Sequence, residues 1–466
     1  MLTYSFENKG SDSLYEFLYK KIIEDILACR LAPDEKLPSK RALAKHLSIS
    51  TVTVENAYNQ LVAEGYIYSK PKSGYYVCRI SSPVMNTDSL KPAYESRCED
   101  SEDAFCGVDL AMNSAARDSF PFSVWTKLMR EVMADKSELL TVNSPSTGVR
   151  ELRCAISDYL FQFRGMKADP DCIIVGAGTE YLYSLIIQLL GRQKKYALED
   201  PGYRKIAQIY RANNVSFHCI PVDKSGVEIS ALENSRADVL HISPSHHFPT
   251  GIVTPVSRRY ELLSWAEKSP DRYIIEDDYD CEFRFSGRPI PSLQSIDHSG
   301  KVIYINTFSK SLTSTIRISY MVLPEELMAL YKKELSFYAC TVSNFEQYTL
   351  SAFIRQGYYE KHINRMRNYY RNQRDTLMSE IKKHPLFGRV QIKEEDAGLH
   401  FLMKVDTPLS DRELIEKGRQ KGIRLTCLSE YYHKHSSADR HTLIINYSGL
   451  PREDIKSAVG LLFDVI

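Results

Sequence analysis

Apolar residues recur at helical spacing in the first part of the chain. The segment "SLYEFLYKKIIEDILACRL" carries such a series, namely Leu14, Phe17, Leu18, Ile22, Ile23 and Leu27. This spacing predicts a helix, which "APDE" ends. Two further helices are expected in "LPSKRALAKHLSIS" and "STVTVENAYNQLVAEGYI", with Ser39 and Ser50 as their N-caps. The following "YIYSKPKSGYYV" predicts two short strands around a Lys-Ser-Gly turn.

A different pattern begins near residue 109, where short apolar runs alternate with helical stretches. The strand candidates are "CIIVGAG", "KKYALED", "VSFHCIPV", "VLHIS", "RYIIEDD" and "KVIYIN". Such alternation predicts a parallel α/β sheet, whose ligands bind beyond the carboxyl ends of the strands. From about residue 356, long helices and the runs "GLHFLMKV" and "TLIINYSGL" predict an α+β cap.

The two patterns predict two domains, over residues 1–80 and residues 109–466. Residues 81–108 separate them and are rich in Ser, Pro and acidic residues, with little periodicity. A segment of this composition is typical of a tether, so we expect a linker here.

Composition narrows the class of protein. The 466 residues are 43% hydrophobic and 26% charged, with a formal net charge of +1, so any nucleic-acid site must be a local patch. The ten cysteines form no CxxC pair, and therefore no metal site is expected. The N-terminal residues lack an apolar signal-like stretch, and no apolar run reaches membrane-spanning length. We expect a cytoplasmic protein without a membrane partner.

A local basic patch is present in the predicted N-terminal domain. Residues 36–54 contain five basic or histidine side chains and no Asp or Glu, whereas acidic residues cluster on the first helix. Three helices and a hairpin are the pattern of a winged helix-turn-helix, and one basic face suits DNA phosphates. A solvated face of a protein-interaction domain is the alternative. The candidate DNA contacts are Lys40, Arg41, Ser50, Thr51, Thr53 and Lys72.

Lys310 raises the question of chemistry in the larger domain, because "TFSKSL" directly follows the apolar run "KVIYIN". Most loop lysines are simply solvated. The alternative is a lysine that forms a Schiff base with an aldehyde cofactor such as pyridoxal 5'-phosphate (PLP). That cofactor needs a carboxylate at its pyridine nitrogen, and Asp277 in "IIEDDYD" is the candidate. Tyr279, two residues further along an extended chain, can reach the ring oxygen.

Other parts of a PLP site also have candidates at strand ends. The N–H groups of Gly178, Thr179 and Glu180 in "GAGTEYL" can bind a phosphate. Each candidate alone is commonly a loop, cap or core residue, but together they favour a cofactor site. The remaining candidates are Ser309 and Arg317 for the phosphate, Tyr203 in "EDPGY" for stacking on the ring, and His246 with His247 in "SPSHHFPTG" near the ring oxygen.

Specific motifs resemble a known family. The segment "LPSKRALAKHLSISTVTVENAYNQLVAEGYIYSKPKSGYYV" resembles the GntR-type winged helix, which often has Arg where this chain has Thr51 and Gly where it has Lys72. The segments "EDPGY", "SPSHHFPTG", "IIEDDYDCEFRF" and "INTFSKSLTSTIRISYMVLP" resemble the MocR subfamily of GntR regulators, whose larger domain is similar to fold-type I PLP-dependent aminotransferases. The resemblance implies PLP on Lys310, Asp277 at the pyridine nitrogen, Arg317 at the phosphate and a homodimer.

Two departures from aminotransferases bear on turnover. Aminotransferases hold the substrate carboxylate with an arginine near the C-terminus. The comparable strand of this chain, "TLIINYSGL", has Ile444 and Ile445 instead. Related enzymes have a tyrosine in the region of Val142 and Asn143. We therefore expect a DNA-binding transcriptional regulator that senses an amine, an amino-acid metabolite or PLP itself. The alternatives are an active aminotransferase with a DNA-binding domain, and a binding module that has lost the cofactor.

Overall fold

The computed structural model describes residues 2–4, 6, 12–80, 107–111, 119–285, 290–394, 398–433 and 439–466. The chain divides into two compact units, Met1–Asp103 and Ala104–Ile466. Apart from residues 107 and 108, the predicted linker lies outside the described residues. Val108 pairs with Ile423 in a short parallel ladder, so it is part of the C-terminal unit although the predicted domain begins at residue 109.

The N-terminal unit contains three helices and one hairpin. These are α1 (Leu14–Leu27), α2 (Lys40–Leu47), α3 (Thr51–Ala63), β1 (Ile67–Lys70) and β2 (Gly74–Val77). Both predicted N-caps are confirmed.

The cap hydroxyls satisfy backbone N–H groups that would otherwise lack partners. Ser39 Oγ accepts a hydrogen bond from Ala42 N at 3.2 Å, and Ser50 Oγ accepts one from Thr53 N at 3.0 Å. The antiparallel hairpin agrees with the prediction of two strands around a turn.

The C-terminal unit contains twelve α-helices and thirteen strands among the described residues. The helices are α4 (Phe122–Asp135), α5 (Ser137–Leu140), α6 (Arg150–Arg164), α7 (Thr179–Leu190), α8 (Arg204–Ala212), α9 (Ile229–Ser235), α10 (Val256–Glu267), α11 (Glu325–Glu334), α12 (Asn344–Arg355), α13 (Tyr358–Lys383), α14 (Asp411–Gln420) and α15 (Ile455–Val465). The strands are β3 (Val108–Asp109), β4 (Ile173–Ala177), β5 (Tyr196–Asp200), β6 (Phe217–Asp223), β7 (Gly226–Val227), β8 (Val239–Ile242), β9 (Tyr273–Asp277), β10 (Val302–Thr307), β11 (Ile318–Val322), β12 (Val390–Lys393), β13 (His400–Val405), β14 (Ile423–Arg424) and β15 (Thr442–Asn446). Among the helices described, none is both long and apolar enough to cross a membrane.

Eight strands form the main sheet, in the order β4-β11-β10-β9-β8-β5-β6-β7. All six strand candidates from the sequence are confirmed. The sheet is mixed rather than parallel, because β11 runs antiparallel to both β10 and β4. The loop over residues 308–317 contains no helix, and a short connection of this kind joins antiparallel strands.

This topology gathers the ends of many strands at one edge of the sheet. Strands β8, β9 and β10 are parallel and end there, as do β4 and β5, whereas β11 begins there. The loops that follow these strands therefore meet at one edge of the sheet. Ligands of α/β sheets bind at this edge, beyond the carboxyl ends of the strands. A separate antiparallel sheet, β12-β13-β15, packs with α13, α14 and α15 and confirms the predicted α+β cap.

Candidate functional site

A cavity of about 400 Å³ lies at this edge of the main sheet. It brings together nine of the eleven predicted cofactor residues, all except His246 and His247. The residues lining it are Ala111, Gly178, Thr179, Glu180, Tyr183, Tyr203, Lys205, Ile206, Ser243, Phe248, Asp277, Tyr279, Thr307, Ser309, Lys310, Ser314, Arg317 and Tyr431.

Asp277, the last residue of β9, is held from one side only. Its Oδ2 accepts a hydrogen bond of 2.5 Å from Tyr183 Oη on α7, and His241 Nε2 lies 3.7 Å from the same oxygen. The other oxygen, Oδ1, is buried and has no hydrogen-bond partner among the described residues. A buried carboxylate oxygen without a donor is costly, so a ligand N–H at this position would satisfy it.

The neighbouring Asp278 serves another purpose. Its Oδ2 forms a buried ion pair with Arg164 Nη2 and accepts a hydrogen bond from Tyr304 Oη, each at 2.8 Å. Only one carboxylate of the Asp-Asp pair therefore faces the cavity.

Tyr279 lines the cavity, but the expected reason is wrong. Strand β9 ends at Asp277, so Tyr279 lies in a turn and not on the same face of an extended chain. Its hydroxyl lies 3.2 Å from His246 Nδ1. The turn, rather than strand alternation, brings the phenol to the site.

The two histidines of "SPSHHFPTG" lie away from the cavity. His246 Nδ1 is 2.8 Å from Asp280 Oδ2, and the imidazole lines a smaller, adjacent cavity. His247 is buried beside Thr250 Oγ1 at 2.6 Å. His246 therefore does not line the main cavity, although it contacts Tyr279, which does, and its contact with a cofactor stays a prediction.

Lys310 lies in the turn that follows β10 and lines the cavity. Burial lowers the pKa of its ammonium group, although the charge of Asp280 partly opposes that shift. A lowered pKa increases the fraction of neutral amine, which is the nucleophilic form.

Two of the predicted phosphate donors are engaged elsewhere. The Gly178 N–H donates to the Gly176 carbonyl at 2.9 Å, and the Ser309 hydroxyl donates to the Ile316 carbonyl at 2.9 Å. Both groups therefore already have internal acceptors, and their role as phosphate donors stays a prediction. Thr179 and Glu180 open α7, where backbone N–H groups lack partners within the helix.

Arg317 also lines the cavity, where it forms an ion pair with the Glu180 carboxylate. Lys205 on α8 contacts the other oxygen of this carboxylate at 2.5 Å. The sequence pattern indicated a role only for the backbone of Glu180, so this cluster of charges was not predicted.

Several lining residues were not identified from the sequence. Tyr183 is four positions after Thr179 on one helix, so i, i+4 spacing was an available signal. Tyr431 and Phe248 come from distant segments and contact each other, with ring centroids 5.2 Å apart. No local pattern connects those two rings to Lys310.

The DNA-binding candidates of the N-terminal unit divide into exposed and engaged side chains. Arg41 and Thr51 are exposed. Lys40 forms an ion pair of 2.6 Å with Glu55, and its side chain is only 28% exposed, so the structure does not present it as a free cation. The contact was not expected because Glu55 lies just beyond the stretch without acidic residues, and a DNA contact by Lys40 stays a prediction.

The remaining candidates lie at the start of α3 and on the hairpin. Ser50 and Thr53 hydroxyls are 2.7 Å apart at the helix cap. Lys72 is exposed in the hairpin turn with a φ of 60°, a conformation that favours glycine and explains why glycine is common there in the resembled family. Val52, which the sequence analysis passed over, is 63% exposed beside Thr51.

The two units match two protein families. Residues 14–77 match "Bacterial regulatory proteins, gntR family", and residues 107–462 match "Aminotransferase class I and II". The matched ranges agree with the division of the chain into two units.

Relatives span both units. The chain is 37% identical over 458 residues to the uncharacterized HTH-type transcriptional regulator YdeL of Bacillus subtilis, with 98% of each chain covered. It is 28% identical over 465 residues to the probable rhizopine catabolism regulatory protein MocR of Rhizobium meliloti, covering 96% of this chain and 93% of that protein. It is 29% identical over 407 residues to the pyridoxine biosynthesis regulator PdxR of Corynebacterium glutamicum, covering 86% and 85%.

Solved structures resemble the larger unit. Kynurenine aminotransferase of Pyrococcus horikoshii superimposes with a TM-score of 0.67 at 23% identity, covering 77% of this chain and 90% of that one. The α-aminoadipate aminotransferase LysN of Thermus thermophilus gives a TM-score of 0.66 at 22% identity, covering 77% and 92%. At these identities the similarity concerns the fold.

These matches define the class: HTH-type transcriptional regulators in which a GntR DNA-binding domain is joined to a fold-type I aminotransferase-like domain. Within this class, the chain belongs to the MocR subfamily of GntR regulators. The GntR domain binds DNA, so the resemblance seen in the sequence motifs is confirmed.

Proposed function

We propose that this regulator binds PLP in the cavity and senses an amine, an amino-acid metabolite or PLP itself there. The observation that carries the proposal is that Asp277 lines the same cavity as Lys310, while its buried Oδ1 has no donor among the described residues. A pyridinium N–H would be a suitable donor. PLP, when bound, supplies an aldehyde for a primary amine and a ring that withdraws electrons.

The side chains around the cavity have separate roles in this proposal. Lys310 provides the attachment point, and its lowered pKa favours the neutral amine. Asp277 keeps the ring nitrogen protonated, and Tyr183 holds the Asp277 carboxylate in position. Arg317, Lys205 and the first turn of α7 provide positive charge for the phosphate.

A sensing role is favoured over turnover by what surrounds Ile444. Its side chain is fully buried and packs with Leu402 and Leu428 in an apolar cluster, to which Tyr431 and Tyr432 add. Burial of a substrate carboxylate among such apolar side chains would be unfavourable, because they offer it no positive charge. An active aminotransferase remains the second candidate, and steady production of a keto acid from an amino donor would support it.

We also propose that the regulator acts as a homodimer in the cytoplasm, where its DNA is. Asn344 Nδ2 at the start of α12 donates to the carbonyl groups of Leu139 and Val142 and so brings these two residues beside Phe345. The side chains of all three residues are exposed and apolar. Exposed apolar side chains that lie together commonly mark an interface.

The test is covalent capture of PLP. Purified protein is mixed with PLP, its visible spectrum is recorded, and borohydride is added before peptide mass analysis. We expect a visible band and a reduced pyridoxyl group on Lys310, both lost in Lys310→Ala. A protein that binds DNA but shows no band and no modified Lys310 would refute PLP binding. If the band forms, amines are then screened for changes in the band and in DNA affinity.

A further inference from the structure

The Glu180 carboxylate lies within the positive cluster that the proposed phosphate site needs. Its Oε2 contacts Arg317 Nη2, and its Oε1 contacts Lys205 Nζ at 2.5 Å. Glu180 is also the second residue of α7, at the positive end of the helix dipole. Three features that attract a phosphate are thus already neutralised by an anion of the chain itself.

The backbone of Gly178 shows how closely these groups approach the turn between β4 and α7. A Cβ atom added to Gly178 would lie 2.5 Å from Arg317 Nη2 and 2.9 Å from Glu180 Oε2. The guanidinium and the carboxylate therefore occupy the space directly over this turn. A phosphate bound at the first turn of α7 would need that same space.

The charges that line the cavity are divided between its two ends. Among the described lining residues, the cations are Lys205, Lys310 and Arg317, and the carboxylates are Glu180 and Asp277. Asp277 is 94% buried and its Oδ1 has no donor among the described residues, whereas both oxygens of Glu180 are paired. The Asp277 end is therefore ready for a ligand, and the Glu180 end is blocked by an internal ion pair.

We propose that Glu180 is a built-in competitor for the phosphate group of the ligand, whose carboxylate must leave Arg317 and Lys205 before a phosphate can bind there. This inference rests on the proposed function, because it concerns the phosphate end of the same cavity. Burial raises the pKa of Glu180, but Lys205 and Arg317 outweigh it and lower the pKa overall, so the group is an anion near neutral pH. Two anions cannot share the same donors without repulsion.

Competition of this kind would weaken the binding of PLP and suit a protein that reports ligand concentration. It would also couple ligand binding to the contacts among α7, α8 and the segment before β11. The carboxylate links α7 to Lys205 on α8 and to Arg317 before β11. Its displacement would break both links, so ligand-bound and ligand-free states would differ in the contacts among these elements.

The test compares ligands with and without a phosphate on the full-length protein. Dissociation constants are measured for PLP, for pyridoxal and for inorganic phosphate, with the wild type and with Glu180→Gln. The control is Glu151→Gln, which removes a Lys–Glu ion pair of 2.8 Å on the surface, with Lys136. We expect Glu180→Gln to tighten PLP and inorganic phosphate by about tenfold or more, equivalent to about 1.4 kcal/mol. Pyridoxal should bind Glu180→Gln and the wild type with the same dissociation constant. Glu151→Gln should bind all three ligands as tightly as the wild type does.

Three outcomes would overturn the inference. The first is that PLP binds Glu180→Gln no more tightly than it binds the wild type. The second is that the affinity for pyridoxal rises as much as the affinity for PLP, and the third is that Glu151→Gln reproduces the rise. Failure of the proposed function gives a different result. In that case PLP and pyridoxal attach to neither protein, while inorganic phosphate still binds Glu180→Gln more tightly, which supports the competing carboxylate alone.

Discussion

Tyr183 and Asp277 form a hydrogen bond of 2.5 Å that ties the first helix after β4 to the end of β9. The bond uses Oδ2 and leaves Oδ1 buried without a donor among the described residues. Because the phenol fixes one oxygen, it also restricts the orientation of the other. This arrangement is preorganised for a ligand that donates one hydrogen bond.

The first prediction concerns this carboxylate. Asp277→Asn removes the negative charge that stabilises a protonated ring nitrogen, so PLP should bind about ten- to a hundredfold more weakly. Tyr183→Phe keeps the ring but removes the hydroxyl, and its effect should be smaller. The dissociation constants of PLP for both variants are measured by titration of the visible absorption band. Equal PLP affinity of Asp277→Asn and the wild type would show that Oδ1 does not contact the ring nitrogen.

The second prediction separates two adjacent basic residues of α2. Arg41 is exposed, whereas Lys40 is paired with Glu55. Arg41→Ala should weaken binding to all DNA sequences and reduce the slope of log affinity against log salt by about one. Lys40→Ala should change this slope less. The measurement is DNA affinity over a range of salt concentrations.

Two results would contradict that distinction. A larger change in slope for Lys40→Ala would mean that DNA displaces Glu55 and recruits Lys40. Altered preference at one base with an unchanged slope for Arg41→Ala would make Arg41 a base contact.

The third prediction compares two glycines with positive φ. A Cβ at Gly148 would lie 2.8 Å from Gln347 Oε1 and 2.9 Å from Val175 Cβ, whereas one at Gly357 would meet nothing within 4 Å. Gly357→Ala should therefore cost only backbone strain, about 1 kcal/mol. Gly148→Ala should cost about 1–3 kcal/mol more, because the crowded core must also move. Urea unfolding of both variants tests this, and equal costs would mean that Gln347 and Val175 give way freely.

The fourth prediction concerns the pH dependence of stability. Burial raises the pKa of the Glu199 carboxyl to about 8, with the Ser243 N–H opposing the shift. Between its ordinary value and about 8, the folded state holds a proton that the unfolded state has released. The free energy of unfolding should therefore fall as pH rises through this window.

A matched variant isolates this contribution. His247 lies 3.5 Å from Glu199, but burial lowers its pKa to about 3, so it stays neutral across the window. Glu199→Gln should lose less stability than the wild type between pH 5.5 and pH 8, by at least about 1 kcal/mol. Urea unfolding at both values measures the difference. Parallel pH profiles of the two proteins would show that Glu199 is ionised in the folded state at both values.

Much of this protein followed from its sequence because the signals were local. Helical spacing located α1, and hydroxyl residues before α2 and α3 marked their N-caps. Short apolar runs located six strands of the main sheet. Since residues that follow parallel strands must meet at one edge, Lys310 and Asp277 could be assigned to one site before the fold was known.

The tertiary structure decided what local spacing cannot specify, namely which groups are already paired. The sequence marked Ser309 and Lys40 as free donors, but Ile316 and Glu55 engage them. It placed His246 at the cofactor, although Asp280 holds it in a neighbouring cavity. Hydrogen bonds and ion pairs depend on distances between segments far apart in the chain, and only packing sets those distances.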